Sequence, residues 1–197
     1  MSTFLLGSSA VLGVQALLYW LLKLFQYNYS TFYLTIDHTI PFIKYFVYIY
    51  DMFYPFMFLG LYLIYKSDKK KYKDTLKCLV IGFVISDIIF LIYPTIIIRP
   101  DVKIDSLTNL VLYLTYYFDT PAINCFPSIH CLFMFQLIFS ISSIKTKNIY
   151  KVLSIVFAIL VILSTLFIKQ HYVIDAIVAF IICLIVNLIV KIKTSNN

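Results

Sequence analysis

Apolar residues run along the chain in stretches close to 20 residues long, separated by short polar segments. A helix needs about 20 such residues to cross a hydrocarbon core roughly 30 Å thick. The pattern predicts an all-α, polytopic membrane protein, a single membrane domain over residues 1–197, with about six transmembrane helices. Their expected spans are Phe4–Phe25, Ile43–Tyr65, Leu76–Ile98, Pro127–Ile144, Tyr150–Ile168 and His171–Ile192. The first run lacks a basic leading segment and exceeds the apolar stretch of a signal peptide, so it reads as a retained helix. A Tyr-rich polar stretch, Gln26–Ile40, separates it from the second. Between the third and fourth runs, Leu107, Leu110, Val111, Leu114 and Phe118 recur at helical spacing. The segment Ser106–Phe118 is too short and too polar to span, and predicts a helix lying at the headgroup level on the outer side.

Charge fixes the expected orientation. Lys66, Lys69, Lys70, Lys71, Lys73 and Lys77 gather around the junction of the second and third helices, Lys145, Lys147 and Lys151 around that of the fourth and fifth, and Lys191 and Lys193 close the chain. All three segments lie on one side of a six-helix arrangement, which the positive-inside rule makes cytoplasmic. Both termini are then cytoplasmic in a multi-pass cell-membrane protein, and the loops around Arg99–Phe126 and Lys169–His171 face outward. The net charge of +7 is gathered between apolar runs rather than spread as a stripe on a polar fold. It points to the bilayer and its anionic headgroups as the partner, not to nucleic acid. Nothing in the pattern reports an oligomeric state.

The candidate chemistry lies on that outer side. Pro127 suits the first position of a helix, which would leave the amides of Ser128, Ile129 and His130 unpaired at a positive dipole end that binds phosphate. Arg99 adds a permanently charged fork matched to phosphate oxygens, and Lys169 a second cation. His171 and Asp175 are four residues apart and share a helix face. The carboxylate would fix the imidazole tautomer and leave the other nitrogen as a nucleophile, with His130 as the acid and base. The four cysteines form no CxxC pattern, and the acids are nine Asp and no Glu. No metal-ligand spacing or cofactor motif is present, so neither is expected. Asp51 and Asp87 fall inside the second and third helices, where an ionisable residue raises a functional question. Neutral Asp side chains hydrogen-bonded to nearby Tyr or Ser are the expected arrangement. A small transporter or channel using these two acids is the rival function, but it leaves the outer cluster unexplained.

Arg99-Pro100, then Pro127-Ser128-Ile129-His130, then His171-Tyr172-Val173-Ile174-Asp175 resembles the type 2 phosphatidic acid phosphatase superfamily of integral membrane lipid phosphatases. The resemblance covers roughly residues 93–180. It implies hydrolysis of a lipid phosphate or pyrophosphate without metal, through a phosphohistidine at His171 supported by Asp175, with phosphate bound near Arg99. Ile129 stands where the phosphatases usually carry Gly. The family's Lys seven residues before the Arg would fall at Ile92, and its second Arg at Thr165. The Phe-Pro-Ser-Ile-His and His-Tyr-x-x-Asp forms are similar to the inositol phosphorylceramide synthase branch, which implies transfer of a phospho-headgroup to another lipid as the alternative.

Overall fold

The computed structural model describes residues 2–26 and 28–195. Both chain ends, whose cytoplasmic placement the lysine count predicts, and residue 27 of the Tyr-rich stretch lie outside them. The described residues form α1 (Ser2–Lys23), two 3-10 turns (Thr35–His38 and Lys44–Phe46), α2 (Val47–Asp51), α3 (Phe53–Ser67), α4 (Lys69–Ile92), α5 (Leu107–Phe118), α6 (Ile129–Ser143), α7 (Asn148–Phe167) and α8 (Val173–Ser195). The chain is a polytopic all-α membrane protein.

Among the described residues, five segments are long and apolar enough to cross a membrane: Thr3–Lys23, Lys44–Ser67, Lys69–Ile92, Asn148–Phe167 and Val173–Lys191. The fourth expected span does not reach that length. Helix α6 has 15 residues, which at 1.5 Å per residue is about 22 Å. It is the central element instead, packed against α3, α4, α7 and α8, with Cys131, Leu132, Phe133, Met134, Leu137 and Ile141 all buried. Gly60 of α3 and Gly82 of α4 let the neighbours approach it closely. A Cβ on Gly60 would lie 2.7 Å from Leu137 Cδ1, and one on Gly82 3.1 Å from Leu132 Cδ2. Small residues at helix contacts serve this purpose in bilayers.

The second expected helix is broken. Pro55 has no amide to donate to the Asp51 carbonyl and its ring crowds that carbonyl, and α2 ends at Asp51 with Met52 before α3. Asp51 therefore sits at a break rather than inside a helix, and Thr115 Oγ1 donates to its two oxygens at 3.1 and 3.2 Å. Asp87 takes Gln15 Nε2 of α1 at 2.9 Å. The partners are thus Thr115 and Gln15, not Tyr or Ser. Helix α4 starts about two turns before its expected Leu76, because Asp68 caps it by accepting the Lys71 amide. It stops at Ile92, two residues ahead of Pro94.

Helix α1 lies along α3 and α4. Ser8 meets the Tyr72 hydroxyl at 2.9 Å at the lysine-rich end of the bundle, so Lys23 emerges at the opposite end. There the connecting segments are laced together: the Ser30 amide donates to the Pro94 carbonyl, Ile96 to Ser30 and Ile97 to Ala122. This lacing fixes the strand-like stretch that delivers Arg99. Helix α5 packs over α2 at the same end, with Leu112 and Tyr116 buried beside Val47, Tyr50 and Ile168.

Candidate active site

The chain turns sharply between α7 and α8. Lys169 adopts a left-handed φ of 53°, and the amides of Gln170 and His171 both donate to the Thr165 carbonyl, at 2.8 and 3.1 Å. Both side chains are thereby carried into the interior. Asp37, from the first 3-10 turn, accepts the Val173 amide at 2.8 Å and so caps α8 from outside the helix. Asp175 is the third residue of α8 and reaches back to the Tyr172 amide at 2.9 Å, as the acidic member of a capping box does. The same oxygen lies 3.3 Å from His171 Nδ1, which is also 3.0 Å from the Cys125 carbonyl. A carbonyl only accepts, so Nδ1 carries the hydrogen. The Nε2 of the neutral ring then keeps its lone pair, the state a nucleophile needs.

At the start of α6, Ser128 and not Pro127 sets the boundary. Its hydroxyl accepts the Cys131 amide at 3.2 Å, making it the helix cap. Its own amide donates to the Asp175 carbonyl at 3.2 Å, so it is not one of the open donors that the pattern predicts. The amides of Ile129 and His130, first in the helix, remain the two without an intrahelical acceptor. His130 packs against Phe53, the rings tilted with their centres 4.5 Å apart, and lies 5.8 Å from the His171 ring. Its Nε2 is 3.1 Å from the Tyr50 hydroxyl.

Arg99 lies beside this pair. Its Nη2 donates to the side chains of Asp119 and Gln170, its Nη1 to the Tyr116 carbonyl at 3.3 Å, and the guanidinium stands 4.9 Å from the centre of the Tyr116 ring. Asp119 also accepts Lys23 Nζ and the Tyr19 hydroxyl, each at 2.8 Å. Burial alone would raise the Asp119 carboxyl, but the charges of Lys23 and Arg99 and the hydrogen bonds from Lys23 and Tyr19 outweigh it. They hold Asp119 below the usual carboxylate range. Burial pushes the Cys125 thiol up, so it stays neutral. Two donors here, Arg99 Nε and Gln170 Nε2, are buried without an acceptor.

Of the residues singled out from sequence, His130, His171, Asp175, Ser128, Ile129 and Arg99 converge. Lys169 does not join them. Its ammonium donates to the carbonyls of Ile40 at 2.7 Å and Asp37 at 3.3 Å, and partial burial lowers its pKa. Tyr19, Lys23, Tyr50, Asp119 and Gln170 are additions. Among the described residues, no group of three or more His, Cys, Asp or Glu side chains gathers as a metal site would.

A cavity of about 620 Å³ is lined at one end by His130, His171, Gln170, Asp119 and Tyr50. It continues between α1 and α5 along Leu12, Ala16, Trp20, Val111, Leu114 and Phe118. Trp20, Leu114 and Phe118 are themselves well exposed on the outside of the bundle, so the cavity opens sideways. A polar head end with an apolar arm suits an amphiphile.

A model of the PAP2 superfamily matches residues 24–189. Neither the curated proteins nor the solved structures yielded a match.

Proposed function

Since the chain belongs to the PAP2 superfamily, a group whose function is in general of the phosphatase type, we propose that it is a lipid phosphatase acting through a phosphohistidine at His171. The observation that carries this reading is the His171 tautomer: Nδ1 is committed to Cys125 and Asp175, and the ring lines a cavity shared with His130. Nε2 attacks phosphorus, the bond to the leaving oxygen breaks, and His130 in its protonated form hands that oxygen its proton. Burial and His171 disfavour that charged form, and the negative charge of the arriving phosphate offsets them. Asp175 balances the positive charge on the attacking ring. In the second half, His130 takes a proton from water, the oxygen attacks phosphorus, and the P–N electrons return to Nε2. Tyr50 orients His130 throughout. Arg99, the Gln170 amide and the open amides of Ile129 and His130 receive the phosphate oxygens, and Arg99 Nε and Gln170 Nε2 gain the acceptor they lack. The lipid tail lies between α1 and α5. By the lysine count, the site faces outward and both termini are cytoplasmic.

A second reading has a lipid hydroxyl replace water in the second half, giving headgroup transfer. The Phe126-Pro127-Ser128-Ile129-His130 sequence and the apolar arm of the cavity favour it. Both readings predict the same division between the histidines. His171→Ala is expected to abolish turnover of every substrate, because no covalent intermediate forms. His130→Ala is expected to release about one equivalent of phenolate per enzyme from an aryl phosphate in a burst, then stall. On an alkyl lipid phosphate it should lose about 10²–10⁴-fold. Rapid-quench measurement with acid-lability of the trapped phosphoenzyme checks this; a burst in His171→Ala instead would reverse the roles.

A further inference from the structure

Asp119 lines the polar end of the cavity, and Arg99 and Lys23 stand behind it as its ion-pair partners, while Asp175 pairs with His171. Asp51, which also lines the cavity, is bound to Thr115 of α5. Asp175 is committed to His171 and offsets the charge that develops on that ring. Asp119, Arg99 and Lys23 sum to one positive charge. Two further cations implied by the resemblance are absent, with Ile92 and Thr165 at those positions. Of the two that are present, Lys23 comes from α1, whose last residue lies just ahead of the matched region. Its ammonium is nearly fully buried, held by Asp119 and by the Pro121 carbonyl at 3.0 Å, and stands 4.6 Å from the ring centres of Tyr19 and Trp20. A buried charge so enclosed interacts strongly with neighbouring charges, because little water screens it.

We propose that Asp119, paired with Lys23 of α1, sets the anion pocket at a single net positive charge and so selects phosphate groups carrying one negative charge. The substrate class is then a phosphodiester lipid, or a phosphomonoester in its singly protonated form, in preference to the dianionic monoester. This rests on the phosphoryl-transfer reading above and narrows it. Asp119 acts as a selectivity residue: it stays on Arg99 Nη2 and Lys23, while the incoming oxygens take the donors that Arg99 and Gln170 still have unpaired.

Asp119 is faced by Tyr19 and Lys23 from α1, Tyr50 and Tyr54 from the second span, and Arg99 from the segment after α4. Cys125 and His130 approach it from the α5–α6 segment and α6. Tyrosine and cysteine are uncharged near neutrality. The histidines are common to the wild type and all the variants compared below, so differences between these proteins report the Asp119–Lys23 pair.

The test uses the purified full chain in detergent with two lipids sharing one diacylglycerol tail, a phosphomonoester and its glycerol phosphodiester. kcat/KM is measured for each between pH 5 and 8. For the wild type, the monoester-to-diester ratio is expected to fall as pH rises through the monoester's second ionisation, near pH 6. Turnover of the diester alone is the limiting form of that result. Asp119→Asn adds one unit of charge and should raise the ratio at pH 8 by about tenfold or more, flattening its pH dependence. Lys23→Gln should lower the ratio, and Lys23→Gln with Asp119→Asn should return it to the wild-type value. A purely structural role would not produce this compensation, and the two Lys23→Gln proteins keep the test intact if Asp119→Asn alone fails to fold. A ratio that ignores pH in the wild type, or is unchanged across the variants while turnover persists, overturns the charge selection and leaves the phosphoryl-transfer reading standing. No turnover of either lipid by the wild type removes that reading itself.

Discussion

Asp119 accepts from two cations and a phenol, and this sets how the protein responds to acid. Its carboxyl sits below the unfolded value of about 3.9, so the stabilisation is fully present above that pH. It is lost as pH falls through the lower, folded value. Replacing it with Asn is expected to cost about 1.5–3 kcal/mol at neutral pH, the range for hydrogen bonds to charged groups. Thermal unfolding in detergent should show a constant Tm gap to wild type from pH 8 to 5 that closes below about pH 4. A gap undiminished at pH 3 would mean the ionised carboxylate is not the stabilising species. His130, His171 and Asp175 were legible in the sequence because each stands in a short pattern at a helix start, and Arg99 because it adjoins Pro100 just past an apolar run. Asp119 was not: its link to Lys23 spans 96 residues and leaves no local trace. Lys23 by itself reads as an anchor at the end of an apolar run. Lys169 was visible, yet its left-handed backbone sends its ammonium to the Ile40 carbonyl, a direction that spacing does not encode.

Helix α6 holds the Ser128–His130 end in place through close contacts rather than through its own length. Gly60→Val and Gly82→Val would each drive a side chain into a fully or almost fully buried leucine of α6. Each is expected to destabilise by about 1–3 kcal/mol, and the displaced helix should lower kcat more than it raises KM. Thermal unfolding beside steady-state kinetics checks this, and a normal kcat in a destabilised Gly82→Val would mean α6 does not transmit its position to His130. The existence of these helices was readable from apolar runs, and Leu107–Phe118 from its periodicity. The end of α6 at Ser143 was legible too, one residue short of the expected Ile144, but its start was not, since the Ser128 cap sets it while the apolar Cys125 and Phe126 precede it. The break after Asp51 has a local signal in Pro55 that the apolar run around it obscures.

The described residues put the lysine-rich connections at one end of the bundle and the histidine pair at the other. With all four native cysteines buried, single cysteines at the exposed Lys70 and Lys103 can report sidedness against a low background. A membrane-impermeant maleimide is expected to label Lys103→Cys in intact cells and Lys70→Cys only after permeabilisation; the reverse pattern would put the histidines on the cytoplasmic side. The sideways mouth between α1 and α5 has a kinetic consequence. A ligand that enters there arrives from the plane of the bilayer, so its encounter rate follows its mole fraction among the surrounding lipids and not its amount per litre. Adding inert detergent or lipid at fixed total substrate should then slow turnover in proportion to the dilution of the surface, with the protein itself unchanged.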